Sequence, residues 1–348
     1  MNSRPSRVPL LTVAALVALV VSVPWAITLG TADIAVTDVV EVIRSAITGQ
    51  PARGVPAGTV SIVWDLRLPR VLLAATVGAG LALVGAMMQA LVRNPLADPY
   101  ILGVSSGASV GAAAVMLFNV FGLRTVFGAQ AVSVAGFAGA CAAMAIVYLL
   151  ARSGAGVSPQ RLVLGGVASS YVFSAITSLL IFLGTPHAAG NVLFWLLGGL
   201  GRASWNTLAL PVVLYGVVAG YALLRAPWLN ALAMGDDLAT SVGVPVNRFR
   251  RELFLASALL TGVLVALSGA IGFVGLILPH VARLLVGADH RRLLAVAMPL
   301  GAVFVIWCDV AARTVAAPQV LPVGVITALV GGPLFVALLI RRTAGAAS

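Results

Sequence analysis

Arg67-Leu68-Pro69-Arg70 sets two guanidinium groups three residues apart around a proline, and Arg313 ends a later apolar run four residues after Asp309. Arginine pairs bidentately with carboxylates, so three such groups on one face would make a docking surface for an acidic partner. Two plainer uses stand beside that one. Interfacial arginines snorkel to lipid headgroups, and Asp65 and Asp309 are near enough in sequence to hold these arginines in internal ion pairs. Asp309 is the one acid well inside an apolar run, where pairing with Arg313 is its natural role.

The rest of the titratable inventory argues against catalysis. His187, His280 and His290 stand apart, and His280 follows Pro279 with no second histidine or acid at metal-ligand spacing. No HExxH, GxSxG or paired intramembrane carboxylates occur. An intramembrane enzyme using His280 as its base would lack a nucleophile or metal partner. Cys141 and Cys308 lie inside apolar runs and read as small buried hydrophobes. All 21 basic residues are arginine. The absence of lysine rules out a Walker A lysine, a Schiff-base lysine and a serine–lysine dyad. No catalytic, metal or cofactor site is therefore expected in this chain, and any ATP that drives it must be hydrolysed by a separate subunit.

Two polar stretches have a mechanical texture. The loop 94–99 carries two prolines within six residues, a rigid reversal in which Asn94 and Leu96 could form one lip of a gate and Asp98 could cap the next helix. The run Gly235-Asp236-Asp237-Leu238-Ala239-Thr240-Ser241-Val242-Gly243-Val244-Pro245 predicts a helix of two turns at most, with Asp236 as its N-cap and Gly243 and Pro245 as its stop. So short and well-bounded a helix suits a connector to a partner.

The elements that position these residues follow from composition. Of 348 residues, 61% are hydrophobic and 9% charged, and the mean hydropathy is +1.09. So few charges could not cover a soluble protein of this size, so lipid must be most of its solvent. Apolar runs predict ten membrane segments, near 9–29, 70–92, 100–119, 129–151, 161–184, 205–225, 251–272, 276–287, 292–312 and 321–341. Fourteen of the 21 arginines then fall on the side of the termini, which the positive-inside rule places in the cytoplasm. The formal charge of +11 reflects this topology rather than nucleic-acid binding, because the arginines are scattered over short loops. The first segment, with Arg4 and Arg7 ahead of it, also has the look of a signal peptide. Its apolar run exceeds the roughly 7–15 residues of a signal core, which favours an uncleaved span. An amphipathic surface helix is expected within 30–66, capped by Thr37 or by Asp38 with Glu41, and apolar at Val39, Ile43 and Ile47. Residues 191–201 are too few to span and read as a helix along the outer face. The short 276–287 segment, approached through Gly272, Gly275 and Pro279, belongs inside the bundle, near a pathway or at a simple proline kink. Small-residue pairs such as Gly107/Gly111 and Gly78/Ala82 predict close helix crossings.

Four stretches, RLPR at 67–70, GAMMQALVRNPLADPYILGVSSGA at 85–108, SGAIGFVGLILPHVARLLVGADHR at 268–291 and LPVGVITALVGGPLF at 321–335, carry a family resemblance. By them the sequence resembles the FecCD permease family, the membrane subunits of ABC importers for ferric siderophores, haem and vitamin B12. The resemblance implies an all-α polytopic helical bundle of ten spans like that of the vitamin B12 importer, forming a single permease domain over 1–348 with no nucleotide-binding domain. It implies a homodimer, or a heterodimer with a sister permease, in the bacterial plasma (inner) membrane. Two ABC ATPase subunits would use the ATP below, and a substrate-binding protein would dock above. By motif, Arg67, Arg70 and Arg313 match the family's docking arginines, and Asn94 and Leu96 its cytoplasmic gate loop. The segment holding Gly235, Asp236, Asp237, Ala239 and Gly243 matches its coupling helix. Ferric siderophore is the first expectation for cargo, as the commonest in the family, with haem or cobalamin as alternatives. An ion-coupled carrier without ATPase partners is the remaining rival, though it would usually show more intramembrane charge.

Overall fold

A computed structural model of the chain describes residues 7–30, 32–153 and 156–346; the expectation for Arg4 lies outside them. The chain runs through helices α1 (Arg7–Thr28), α2 (Val36–Thr48), α3 (Ala57–Ser61), α4 (Leu68–Val92), α5 (Val104–Phe118), α6 (Leu123–Phe127), α7 (Ala131–Ala151) and α8 (Pro159–Leu183). It continues through α9 (Pro186–Leu196), α10 (Trp205–Leu224), α11 (Ala226–Met234), α12 (Asp236–Ser241), α13 (Val246–Ser268), α14 (Val274–Val286), α15 (His290–Thr314) and α16 (Val323–Ala346). The sole sheet among the described residues is a two-residue hairpin, Arg152–Ser153 against Gly156–Val157. Seven helical stretches are long and apolar enough to cross a bilayer, and α5, α14 and Val323–Leu338 are shorter apolar helices. Together they give the ten segments that hydropathy predicts.

Helix α4 is the axis of the bundle. It is buried along most of its length because α10, α11, α13, α14 and α15 all pack on it. Such contact requires small residues, since lipid gives helices no hydrophobic reason to associate. At Gly78 a Cβ would overlap the Gly301 carbonyl of α15, and at Gly85 it would overlap the Gly275 carbonyl of α14. The Gly107/Gly111 pair does the same work between α5 and α7, facing Gly139 and Ala135.

Three local expectations are corrected. The second span starts earlier than residue 70, because helix is continuous from Ala57 to Val92. Its continuity passes through a π-helical turn at Ile62–Arg67, where the Leu68 N–H reaches back to the Val63 carbonyl. Pro69 explains the wider turn: it lacks an N–H, and its ring conflicts with the carbonyl four residues back. In α2 the predicted capping box is absent. Ala35 is the N-cap with no side-chain bond, Thr37 and Asp38 lie in the first turn, and Glu41 instead holds Arg44 and the backbone N–H of Arg53. The inward face of α2 is Val39 and Val42, and Ile47 is exposed. Asp236 is not the cap of α12 either, since Gly235 holds that position and Asp236 is the first helical residue.

Candidate functional site

The three singled-out arginines converge at one end of the bundle, around a cavity of about 460 Å³ that Arg67, Arg70 and Arg313 line with Gly30, Leu66 and Gly201. They do not present three free charges. Arg67 is 7% exposed; its Nη1 donates to the Ile27 and Thr28 carbonyls at 2.7 and 2.9 Å, and its Nη2 to Ala32 at 2.7 Å. Arg313 is 6% exposed and donates to the Leu29 and Ala26 carbonyls at 3.0 and 3.1 Å. The last carbonyls of a helix have no intrahelical partner and carry partial negative charge, so two guanidinium groups are a strong cap for α1. The internal ion pairs expected from Asp309 form as well. Its carboxylate accepts from Arg70 Nε at 2.9 and 3.1 Å and Nη2 at 2.8 Å, and lies 3.0 Å from Arg313 Nε. Asp65 takes no part, being bonded to the Ser61 hydroxyl. Arg70 keeps the most open position of the three, with Nη1 directed toward Gly201 on the cavity wall.

At the opposite end the loop 94–99 and the segment 235–243 meet. Arg93 ends α4 in the left-handed conformation. The Asn94 side chain then accepts from the Leu96 N–H at 2.9 Å, a turn that leaves Asn94 and Leu96 exposed. Asp98 caps the following 3₁₀ turn through the Tyr100 N–H at 2.8 Å, as its position predicts. In α12, Asp237 is exposed, Ala239 is fully buried and Gly243 (φ +83°) ends the element. Asp236 joins the two elements: Arg250 of α13 donates to its Oδ1 at 2.6 Å, and Arg93 Nη1 lies 3.6 Å from the same oxygen. Sequence reasoning misses this junction, although Arg93 stands directly beside the loop 94–99.

Between the two ends the backbone is broken at membrane depth. The chain between α13 and α14 is non-helical at residues 269–273, and Phe273 holds a left-handed φ of +69°. Tyr100 repairs this break: its hydroxyl donates to the Ile271 carbonyl and accepts from the Ile271 N–H, each at 3.1 Å. Such backbone survives only inside protein, which is where α14 lies. His280 is buried within α14, and among the described residues no group of three His, Cys, Asp or Glu could hold a metal.

With this geometry in place, comparison with known proteins is direct. An ABC transporter permease protein of Bacillus subtilis, YvrB, is 42% identical over 291 residues, covering 83% of this chain and 81% of its own. The hemin transport system permease HmuU of Yersinia pestis is 42% identical, covering 80% of this chain and 84% of its own. The cobalamin import permease BtuC of Halobacterium salinarum is 43% identical, covering 83% and 76%. A solved inward-facing ABC transporter assigned to the metal-chelate type superposes with a TM-score of 0.80 at 30% identity, over 96% of this chain and 99% of that one. Residues 16–341 match the FecCD transport family. The chain belongs to that family, and it is a membrane permease subunit of the ABC-transporter kind rather than an enzyme.

Proposed function

We propose that this chain lines the translocation pathway of a binding-protein-dependent ABC importer that brings in an iron chelate, with ferric siderophore as the first candidate. The observation that carries this reading is the position of segment 235–243. It rests on the bundle through buried Ala239, turns Asp237 and Leu238 outward, and is tied through Asp236 to α13 and to the end of α4. A force applied there by a cytoplasmic ATPase would reach both the gate loop at Asn94 and Leu96 and the axis of the bundle. Gly235, Asp236, Asp237 and Gly243 form the contact, with Ala239 seating the segment on the bundle, and ATP is used by two partner ATPase subunits, with no cofactor held by this chain. A second permease copy, identical or a sister chain, completes the pathway across the bilayer.

The arginine-lined cavity lies at the external face in this reading, with both termini in the cytoplasm of a bacterial inner membrane. The supporting asymmetry is the excess of arginines on the terminus side. Arg70, Arg67 and Arg313 receive the binding protein there, with Arg70 making the contact and the other two fixing the rim. Capture outside leaves the permease free to hold cargo weakly.

The test is uptake of radiolabelled ferric siderophore, haem and cobalamin into a transport-deficient host expressing the chain with its neighbouring ATPase and binding protein. Relatives named for hemin and cobalamin are equally similar, so all three cargoes are assayed. ATP-dependent uptake of the siderophore alone is expected. Uptake of haem or cobalamin instead would overturn the cargo, and uptake without the ATPase would overturn the importer class.

A further inference from the structure

Three arginines line the cavity beside the end of α1, and no carboxylate among the described residues does. Its free charge is nevertheless small. Arg67 and Arg313 give their donors to the carbonyls of α1 and of the residues after it. Arg70 gives Nε and Nη2 to Asp309, which leaves Nη1. A guanidinium committed to internal acceptors cannot also pair bidentately with an incoming carboxylate. A partner received here must meet its main charge elsewhere on the rim.

Arg202 meets that need. It stands between Gly201 and Ala203, both of which line the cavity. It is exposed, and among the described residues its side chain has no hydrogen bond or ion pair. Arg70 Nη1 lies 3.9 Å from where a Cβ would sit on Gly201, so the open nitrogen of the triad borders the same loop. Leu66 and Val320, 61% and 41% exposed, add an apolar rim. Once a partner covers that rim, the lower dielectric strengthens any charge pair beside it.

The loop is held on both sides of Arg202. Before it, the Gly199 N–H donates to the Ser268 carbonyl at 2.8 Å, and the Gly198 carbonyl accepts from the Val323 N–H at 3.0 Å. Gly198 has a φ of +77°, and a Cβ there would overlap the Ala270 carbonyl, so only glycine permits this approach. After it, the Ser204 N–H donates to the Thr207 hydroxyl at 3.1 Å. Trp205 packs on Trp64 with ring centroids 4.8 Å apart and donates Nε1 to the Trp64 carbonyl at 2.9 Å. A charge on an anchored loop has less order to lose when it pairs than one on a mobile loop.

We propose that Arg202, together with Arg70, is the free charge of this cavity, and that it pairs with a surface carboxylate of the substrate-binding protein. The proposal rests on the importer reading above and adds to it a residue outside the three motif arginines. A rim charge of this kind acts mainly on the rate of encounter and on its salt dependence.

The experiment uses the full-length chain assembled with its ATPase in lipid nanodiscs, over which the binding protein encoded beside it is passed. Association rates are measured by surface plasmon resonance at about 0.1 M and about 1 M salt, where the Debye length is roughly 10 and 3 Å. Arg202→Gln is expected to slow association about threefold at the lower salt, in the range of exposed charge pairs, and to match wild type at the higher. Arg202→Lys keeps the charge and most of the rate. Arg53→Gln removes an exposed arginine from a separate cavity, one lined by Thr37, Glu41 and Arg44, and leaves the rate unchanged. A wild-type rate in Arg202→Gln at the lower salt would leave Arg202 a headgroup-facing arginine and overturn the proposal. So does a loss that persists at the higher salt, or one that Arg202→Lys or Arg53→Gln reproduces. A wild-type assembly that does not bind the protein at all overturns the importer reading itself, and the proposal with it.

Discussion

Arg70 and Asp309, 239 residues apart in sequence, meet through two N–H···O contacts of 2.9 and 2.8 Å that converge on Oδ1, with the carboxylate 1% exposed. The pair ties the entry of α4 to the end of α15, and Arg313 shares the same carboxylate. Removing one partner of a buried pair leaves the other charge uncompensated, at a cost of about 3–5 kcal/mol. Asp309→Ala strands two arginines and is expected to lower the thermal midpoint of the purified protein sharply. Arg70→Ala, which leaves Asp309 paired with Arg313, should lower it much less. Equal shifts for the two variants would show that the carboxylate is not the hub.

Arg67 tests whether the motif arginines are interchangeable. Its guanidinium serves three carbonyls, those of Ile27, Thr28 and Ala32, so a lysine ammonium placed there could not reproduce the planar fork. Arg67→Lys is therefore expected to behave almost as Arg67→Ala. Hydrogen exchange should speed up at the end of α1 in both variants, because each buried carbonyl left unpaired costs about 1–3 kcal/mol. Full protection in Arg67→Lys would refute the capping role. For the same reason the docking role is best examined by a neutral change at Arg70: Arg70→Gln leaves Asp309 paired with Arg313 and should weaken binding-protein association, whereas any charge reversal at Arg67 also disrupts the fold.

The junction at Asp236 separates coupling from folding. Asp236→Asn keeps an acceptor for the buried Arg250 guanidinium while removing the carboxylate charge that Arg93 approaches. ATP hydrolysis by the reconstituted complex should persist while uptake falls severalfold. If hydrolysis and uptake fall together with the amount of assembled complex, Asp236 is an assembly contact and the transmission role is wrong.

The ten helices, the close glycine crossings and the 94–99 turn are all legible in the sequence, because each follows from local composition. Apolar run length, small-residue spacing and proline placement act within a few residues. The features that escape sequence reasoning are set by partners far along the chain. Nothing near Arg67 signals that its acceptors are the carbonyls of a helix 40 residues earlier. Tyr100 gives no local hint of a role, because Ile271, whose backbone it satisfies, lies 171 residues away. The failed caps at Asp38 and Asp236 have a related cause. Both acids sit in the first turn, where they favour the helix dipole without occupying the cap, and Asp236 is drawn instead to Arg250.

On helix α2, Arg44 beside Glu41, together with the Arg53 backbone N–H, holds the Glu41 carboxyl down at about 2. A carboxylate lowered in the folded state stabilises it above the ordinary value of 4.5, and that contribution is lost as pH falls from there through 2. Infrared titration of the carboxylates should show one that resists protonation at pH 3 and disappears in Glu41→Gln. Its normal titration in the wild-type protein would refute the Arg44–Glu41–Arg53 clasp.

The hydroxyl of Tyr100 offers the sharpest single-atom test. It is both donor and acceptor to Ile271, in a segment where Gly269 and Phe273 adopt left-handed backbone and no helix supplies the missing bonds. Tyr100→Phe keeps the ring and its packing and leaves one buried N–H and one C=O unpaired, a loss of about 1–3 kcal/mol. Amide exchange in the 268–276 peptide should accelerate, with α4 and α15 unchanged, since their contacts do not involve this bond. Transport should slow as well, because α14 begins at this break and its N-terminal turn rests on α4 at Gly85. Unchanged exchange would mean that the broken backbone is held by its glycine packing alone, against Gly198 and Trp195, and that the tyrosine is incidental to it.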